Sequence, residues 1–208
     1  MTTPFTVKYL GVCDYTDTWN KMKEFTEDRT EHTPDEFWVL EHHPVFTLGL
    51  AGKKEHILNL NHDIPIIHCD RGGQVTYHGP GQVIVYMLID IKRLNLSIRE
   101  LVERIENGVI DYLATHNLVG NGDRNAPGVY VDNKKIASMG LKVRKGCTYH
   151  GLSFNVKMDT TPFNYINVCG YSNLKVTQLQ ELVHIDSIDN VAHFVTNNLT
   201  ESIYRNRN

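Results

Sequence analysis

Apolar positions recur along the chain in two spacings, and the switch between them outlines the elements. Phe5 to Val12 alternates like an opening strand, and Tyr15, Trp19, Met22 and Phe25 then fall at helical spacing, predicting a short amphipathic helix. Phe37 to Leu40 and Val45 to Leu48 read as strands flanking Glu41-His42-His43-Pro44, and Ile64 to Cys69 is a further apolar run. Val83 to Ile91 is the strongest strand signal, rich in β-branched and aromatic residues. The clearest helix opens at Ser97, where Ser97 and Glu100 make an S-x-x-E capping box ahead of a stripe of Ile98, Leu101, Val102, Ile105, Val109, Ile110 and Leu113. Val129 to Val131 and Ile136 to Val143 predict strands around a turn at Asp132-Asn133, with another strand over Leu152 to Val156. Gln178 to Val183 and Asp189 to Tyr204 predict two closing helices. Strands outnumber helices and do not alternate with them regularly, so an α+β fold is expected rather than a doubly wound parallel sheet.

Composition narrows the class. The chain has 208 residues, 41 % hydrophobic and 22 % charged, ordinary for a globular protein, and no Pro/Gly/Ser linker or repeat divides it. One domain over residues 1–208 is the expectation. A net charge of −3 argues against a general nucleic-acid binder. The N-terminus shows no basic segment followed by a long apolar stretch, and the longest apolar run, Val83 to Ile89, is far too short to span a bilayer. The four cysteines, at 13, 69, 147 and 169, have no paired spacing, so a reduced, cytoplasmic chain is expected. Eleven histidines raise the question of a metal, but neither H-E-x-x-H nor a C-x-x-C…H-x-x-x-H spacing is present, and no metal is expected.

Three segments carry candidate chemistry. The first, RGGQVTYHGPGQ (Arg71 to Gln82), packs four glycines and a proline into twelve residues just before the strongest strand. Such a backbone can approach a ligand closely and present free N–H groups, or can be a plain turn; it matches neither nucleotide-phosphate pattern. The second, KKIASMGLKVRK (Lys134 to Lys145), holds five basic residues and no acidic one. It reads either as a solvated strand face or as a docking surface for an acidic macromolecule. Strand alternation sends Lys134 and Lys135 to opposite sides, so one of them turns inward, where a desolvated lysine is a reactive group. The third is Cys169, followed by glycine in a loop-like stretch, FNYINVCGYSN. Free cysteine is usually a small buried hydrophobe, and Cys13, Cys69 and Cys147 fit that description. A nucleophilic cysteine needs a nearby ammonium or imidazole to favour its thiolate; the candidates are Lys135, His78 and His150.

Taken in order, RGGQVTYHGPGQ, KKIASMGLKV, YHGLSFNV and the Cys169-Gly170 pair, with EHHPVFTLG (Glu41 to Gly49) upstream, resemble the lipoyl(octanoyl) transferase family over nearly the whole chain. The resemblance implies a fold similar to the catalytic domain of biotin and lipoate protein ligases, a mainly antiparallel or mixed sheet packed with helices. It implies transfer of an octanoyl (or lipoyl) group from acyl carrier protein to the ε-amine of a lysine on lipoyl domains, through a thioester on the enzyme. The acceptors would be the lipoyl domains of 2-oxoacid dehydrogenase complexes and the glycine cleavage H protein, and the enzyme a monomer using neither ATP nor a metal. Carried over by position, the acyl-bearing cysteine is Cys169 and its partner Lys135. The substrate-binding stretch is Arg71, Gly72, Gly73, Gln74, Val75, Thr76, Tyr77 and His78, with Ser138, Met139, Gly140, Gly151, Leu152 and Ser153 in two shorter segments. The chain departs from the family pattern in having Val168 for a proline before the cysteine, Tyr171 for an isoleucine after the glycine, and Tyr149-His150-Gly151 for THG. Apolar residues of Val83 to Ile89, with Leu152, are expected to line the acyl slot. Three rivals frame the tests: an ATP-dependent lipoate–protein ligase on the same fold, a non-catalytic acyl-binding module, and a thiol hydrolase using His78 or His150.

Overall fold

The structure, a computed structural model, describes residues 5–60 and 63–205. Strand β1 (Phe5–Cys13) leads into helix α1 (Tyr15–Asp28), whose first turn is capped by the Asp14 carboxylate accepting from Asp17 N. Strands β2 (Asp35–His42), β3 (Val45–Leu48), β4 (Ile66–His68), β5 (Val75–His78) and β6 (Gln82–Leu88) follow. Then come α2 (Ile98–Ala114), β7 (Asn121–Gly122), β8 (Gly128–Val131), β9 (Lys134–Arg144), β10 (Cys147–Asn155) and α3 (Ile188–Tyr204). The strands form a seven-stranded sheet in the order β1-β2-β6-β10-β9-β8-β7 and a three-stranded sheet in the order β4-β3-β5. The pairs β1–β2 and β3–β4 are parallel and the other pairs antiparallel, so the sheets are mixed and the fold α+β, as expected.

Alternation along β6 sets the layers. Val83, Val85 and Met87 face α2 and α3, packing on Leu101, Ile105, Val109, Val195 and Leu199. Ile84, Tyr86 and Leu88 face the other way, with Trp38, Leu40, Tyr149 and Met22 of α1. The small sheet closes over its own cluster, in which Phe46, Leu48, Val75 and Tyr77 pack on Met158, Phe163, Ile166 and Val168. The helix α2 begins at the predicted capping box: Ser97 Oγ accepts from Glu100 N while the Glu100 carboxylate accepts from Ser97 N. Asp132 and Asn133 both take positive φ, as a two-residue hairpin turn requires.

Several boundaries differ from the sequence expectation. Gln178 to Val183 is not a helix but a single 3₁₀ turn, Leu179–Glu181, too short to present an apolar stripe. The strand expected at Leu152 begins at Cys147, and the one expected to run to Ile91 ends at Leu88. The glycine-rich segment is not one continuous loop: Val75–His78 is a strand, paired antiparallel with β3. Four strand residues between glycine pairs are too few for alternation to stand out against the turn signals.

Candidate active site

A cleft of about 320 Å³ opens between the small sheet and the face of the large one. On its wall β9 and β10 pair Gly140 with Gly151 and Ser138 with Ser153, so small side chains meet across the strands and leave a trough. Gly140 has a further reason to lack a side chain, because a Cβ there would lie 3.0 Å from Gly72 O, where the Arg71–Gly73 segment rests on β9. That segment is tied down by Gly72 N donating to Leu141 O, 3.0 Å.

Cys169 lines the cleft from a 3₁₀ turn spanning Val168–Gly170. Its φ of 55° is left-handed, a strained choice for a residue other than glycine. The turn is held from both sides. Val168 is buried in the small-sheet cluster, Gly170 N donates to Asn167 O (2.8 Å), and Asn167 N donates to His56 O (2.8 Å).

Lys135 comes from β9, and the predicted alternation holds: Lys134 is exposed and Lys135 is 1 % exposed. Its backbone is clamped to the strand-like segment after the cysteine, with Lys135 N donating to Lys175 O and Thr177 N to Lys135 O. The side chain then runs to Cys169, placing Nζ 3.3 Å from Sγ. Nζ also donates to Pro127 O at 3.0 Å and Ala126 O at 3.4 Å, so each N–H of an ammonium has an acceptor. Gly128 clears the path: its φ is 152°, and a Cβ there would overlap Lys135 Cε.

His78 and His150, the other candidate partners for the thiol, are engaged elsewhere. His78 bonds Gln82 Oε1 through Nδ1 (2.8 Å) and Thr47 Oγ1 through Nε2 (3.3 Å). His150 Nε2 lies 3.1 Å from Asp70 Oδ1, and Asp70 also accepts from Trp19 Nε1 (2.7 Å) and from the Tyr149 hydroxyl. Burial pushes the Asp70 carboxyl up, but the bonds from His150, Tyr149 and Trp19 together outweigh it and hold it well below the usual carboxylate range. Burial favours neutral imidazoles at His78 and His150 on the cleft and at His42 beside Tyr86. His78 and His150 are lowered, and His42 drops to about 4. His42 Nδ1 faces Cys13 O (3.0 Å) and so donates, leaving Nε2 to accept from the Tyr86 hydroxyl at 2.7 Å.

Those buried imidazoles make stability fall with acid. The unfolded chain takes up their protons as pH drops below about 6.5, whereas the folded protein resists until lower pH, so stability is fully present above 6.5 and lost below it. His42 alone is expected to remove about 2 kcal/mol between pH 7 and pH 5, at roughly 1.4 kcal/mol per pH unit below 6.5. Chemical denaturation at the two pH values checks this; a His42→Asn variant should show a shallower loss, and an unchanged slope contradicts it.

The structure gathers most of the sequence-predicted residues on this one cleft. Lys135, Cys169, Gly73, Gln74, Val75, Thr76, His78, Ser138, Met139, Gly140, Gly151, Leu152 and Ser153 all line it. Arg71 lines it too, but its guanidinium binds main chain and scaffold: Thr47 O (2.6 Å), Gln74 O (2.8 Å), Gly72 O (2.9 Å) and Thr47 Oγ1. Gly72 and Tyr77 are off the lining, and Tyr77 faces the small-sheet cluster on the opposite side of β5. Of the Val83 to Ile89 run only Ile84 and Tyr86 reach the cleft, a correction to the expected acyl slot that follows from strand alternation. Tyr15, His150, Tyr171 and the Asn125–Pro127 segment complete the wall; sequence reasoning assigns none of them to substrate, marking His150 as a candidate imidazole partner for the thiol and Tyr171 as a departure from the family pattern. Among the described residues no three His, Cys, Asp or Glu side chains are grouped to hold a metal ion, and no helix is long and apolar enough to cross a membrane.

Comparison with known proteins places this arrangement. Residues 14–200 match the family model described as the lipoyl protein ligase A/B catalytic domain. An octanoyltransferase of Chromobacterium violaceum is 59 % identical over 179 residues, covering 86 % of this chain and 86 % of the relative. That of Nitrosomonas europaea is 57 % identical over 177 residues, covering 85 % and 86 %. In fold the chain is similar to a putative lipoate protein ligase from T. acidophilum with bound lipoic acid (TM-score 0.75, 16 % identity, 95 % of this chain and 84 % of that one). It is more distantly similar to a biotin protein ligase from Aquifex aeolicus (TM-score 0.58, 13 % identity, 95 % and 70 %).

Proposed function

The chain belongs to the lipoyl protein ligase A/B catalytic-domain family, and on that footing we propose that its cleft is an octanoyltransferase site working through a thioester on Cys169. The protein is an octanoyl-transferring enzyme of protein lipoylation, and its substrates include proteins that carry the lipoyl group. The observation that carries the mechanism is the 3.3 Å approach of Lys135 Nζ to Cys169 Sγ on the lining of the cleft.

The donor in this reading is octanoyl-acyl carrier protein, and the acceptor is a lysine of a lipoyl domain or of the glycine cleavage H protein. Lys135, as an ammonium, stabilises the Cys169 thiolate. The thiolate attacks the donor carbonyl, a new C–S bond forms, the carrier's C–S bond breaks, and the Lys135 proton leaves with the carrier thiol. Lys135 is then a neutral amine beside the thioester. It takes a proton from the incoming lysine as the C–N bond forms and Cys169 departs as thiolate, which restores the starting pair. Thioester exchange is nearly balanced and amide formation runs downhill, so the cycle asks for no ATP. The octanoyl tail gains about 0.8 kcal/mol per buried CH₂ against Ile84, Tyr86 and their neighbours. Residues 1–208 acting as one catalytic domain, a monomeric state and a cytoplasmic setting are part of the same reading.

The test is transfer to a lipoyl domain from octanoyl-acyl carrier protein in nucleotide-free buffer. Rapid transfer supports the reading; transfer only from free octanoate with ATP favours the ligase, and release of octanoate to water favours a hydrolase.

The basic stretch of β9 is the docking face in this account, with one modification from the structure. Arg144 and Lys145 both pair with Glu27, and the Lys145 and Arg144 bonds hold its carboxyl down to about 2. They therefore offer an acidic partner less than their formal charge. Reversing Lys142, Arg144 and Lys145 to Glu should raise the KM for the acidic carrier by about tenfold at low salt with little change in kcat, because rim charges act mainly on association. An unchanged KM removes the docking assignment.

A further inference from the structure

Three polar groups on the cleft lining, the Tyr15 hydroxyl, Gln74 Oε1 and Thr76 Oγ1, are buried without a hydrogen-bond partner, and of these Gln74 is the one whose side chain meets the cysteine turn. Gln74 lies immediately before β5, with its main chain fixed by Gly49 N and Arg71 Nη2, both donating to Gln74 O. Its side chain lies across the cysteine turn: a Cβ placed on Gly170 would be 3.2 Å from Gln74 Cγ and 3.4 Å from Cδ. Gln74 also lines the cleft that holds Lys135 and Cys169. Its Oε1 is fully buried and has no hydrogen-bond donor. A buried carbonyl oxygen without a donor is costly, and one that persists beside a nucleophile is suited to a ligand that brings the missing N–H.

The two half-reactions differ in what they bring. The octanoyl thioester presents a carbonyl oxygen, which is an acceptor and cannot satisfy Oε1. The attacking lysine presents a neutral amine with two N–H bonds. One of these protons passes to Lys135 as the C–N bond forms and the C–S bond to Cys169 breaks; the other stays on nitrogen and needs an acceptor. We propose that Gln74 Oε1 accepts that second N–H and aims the amine lone pair at the thioester carbon. Gln74 is then a catalytic residue of the transfer step, holding the amine beside the cysteine turn. This rests on the thioester reading above.

The experiment separates the half-reactions. Acyl-enzyme formation is timed by quenched intact mass after mixing with octanoyl-acyl carrier protein. Transfer is timed by adding a lipoyl domain to enzyme already loaded. In Gln74→Leu, transfer should slow at least about tenfold more than acyl-enzyme formation, the scale expected when an attacking group loses its alignment. Gln74→Glu, which keeps an acceptor oxygen, should recover much of the transfer rate. Equal slowing of both halves overturns the proposal in favour of an amide that donates to the oxyanion common to both. Greater slowing of the first half points instead to a grip on the carrier's arm, and no slowing of either half leaves Gln74 as wall. If wild-type enzyme forms no thioester, the reading beneath the proposal fails; if it does and the ratio is unchanged, the Gln74 assignment alone fails.

Discussion

Replacing Cys169 with alanine is expected to abolish covalent octanoyl loading and to cut transfer by a factor on the order of 10⁴ to 10⁶, the scale seen when an activated nucleophile is removed. The fold should survive the change. The turn is held by Val168 in the small-sheet cluster and by main-chain bonds from Gly170 and Asn167, none of which uses the thiol. The other cysteines cannot substitute. Cys69 is buried and directs its thiol at Leu48 O, and burial pushes the Cys147 thiol up, away from the thiolate. Alanine at position 13, 69 or 147 should therefore leave octanoyl loading in place. The readouts are steady-state transfer to a lipoyl domain and intact mass of the loaded enzyme. Wild-type transfer by the Cys169→Ala protein would remove the thioester route.

Lys135→Met is the second large effect expected, a loss on the order of 10² to 10⁴ in kcat/KM, the range for a positioned proton-transfer group. Methionine fills the channel but leaves Cys169 without a cation and the incoming amine without a base, so both half-reactions should slow. The fold should survive, because methionine fills the channel and Cys169 can rest as a neutral thiol, although Pro127 O and Ala126 O lose their donor. Lys135→Arg should fare little better. A guanidinium does not take the neutral form the second step needs, and it is bulkier where even a Cβ on Gly128 would overlap the side chain. Thermal midpoints measured beside the rates separate the two effects; a catalytic loss that simply tracks unfolding would contradict the assigned role.

How much of this was legible in the chain depended on how local the signal was. The capping box of α2 and the turning inward of one of Lys134 and Lys135 are both decided within a few residues, by spacing alone; that it is Lys135 is decided by how β9 sits in the sheet. The meeting of Lys135 with Cys169 is not, because 34 positions separate them. It depends on Lys135 pairing with the segment around Val176, just beyond the cysteine turn, a long-range contact without a sequence pattern. Resemblance to a family supplied that pairing in advance; periodicity did not. The acyl slot is not legible for a physical reason: Val83 to Ile89 is apolar on both faces, so the run does not reveal that only Ile84 and Tyr86 turn to the cleft. Gln74 Oε1 was invisible for the opposite reason, since an unmet hydrogen bond exists only once the surrounding donors have been placed.

The most direct test of the central claim is intact mass spectrometry of the protein after mixing with octanoyl-acyl carrier protein, with and without hydroxylamine, beside the Cys169→Ala variant. The account predicts a single octanoyl group on the wild-type protein, removed by hydroxylamine, absent from the variant and discharged when a lipoyl domain is added. No adduct on the wild-type chain, with lipoyl-domain modification instead requiring free octanoate and ATP, would contradict it.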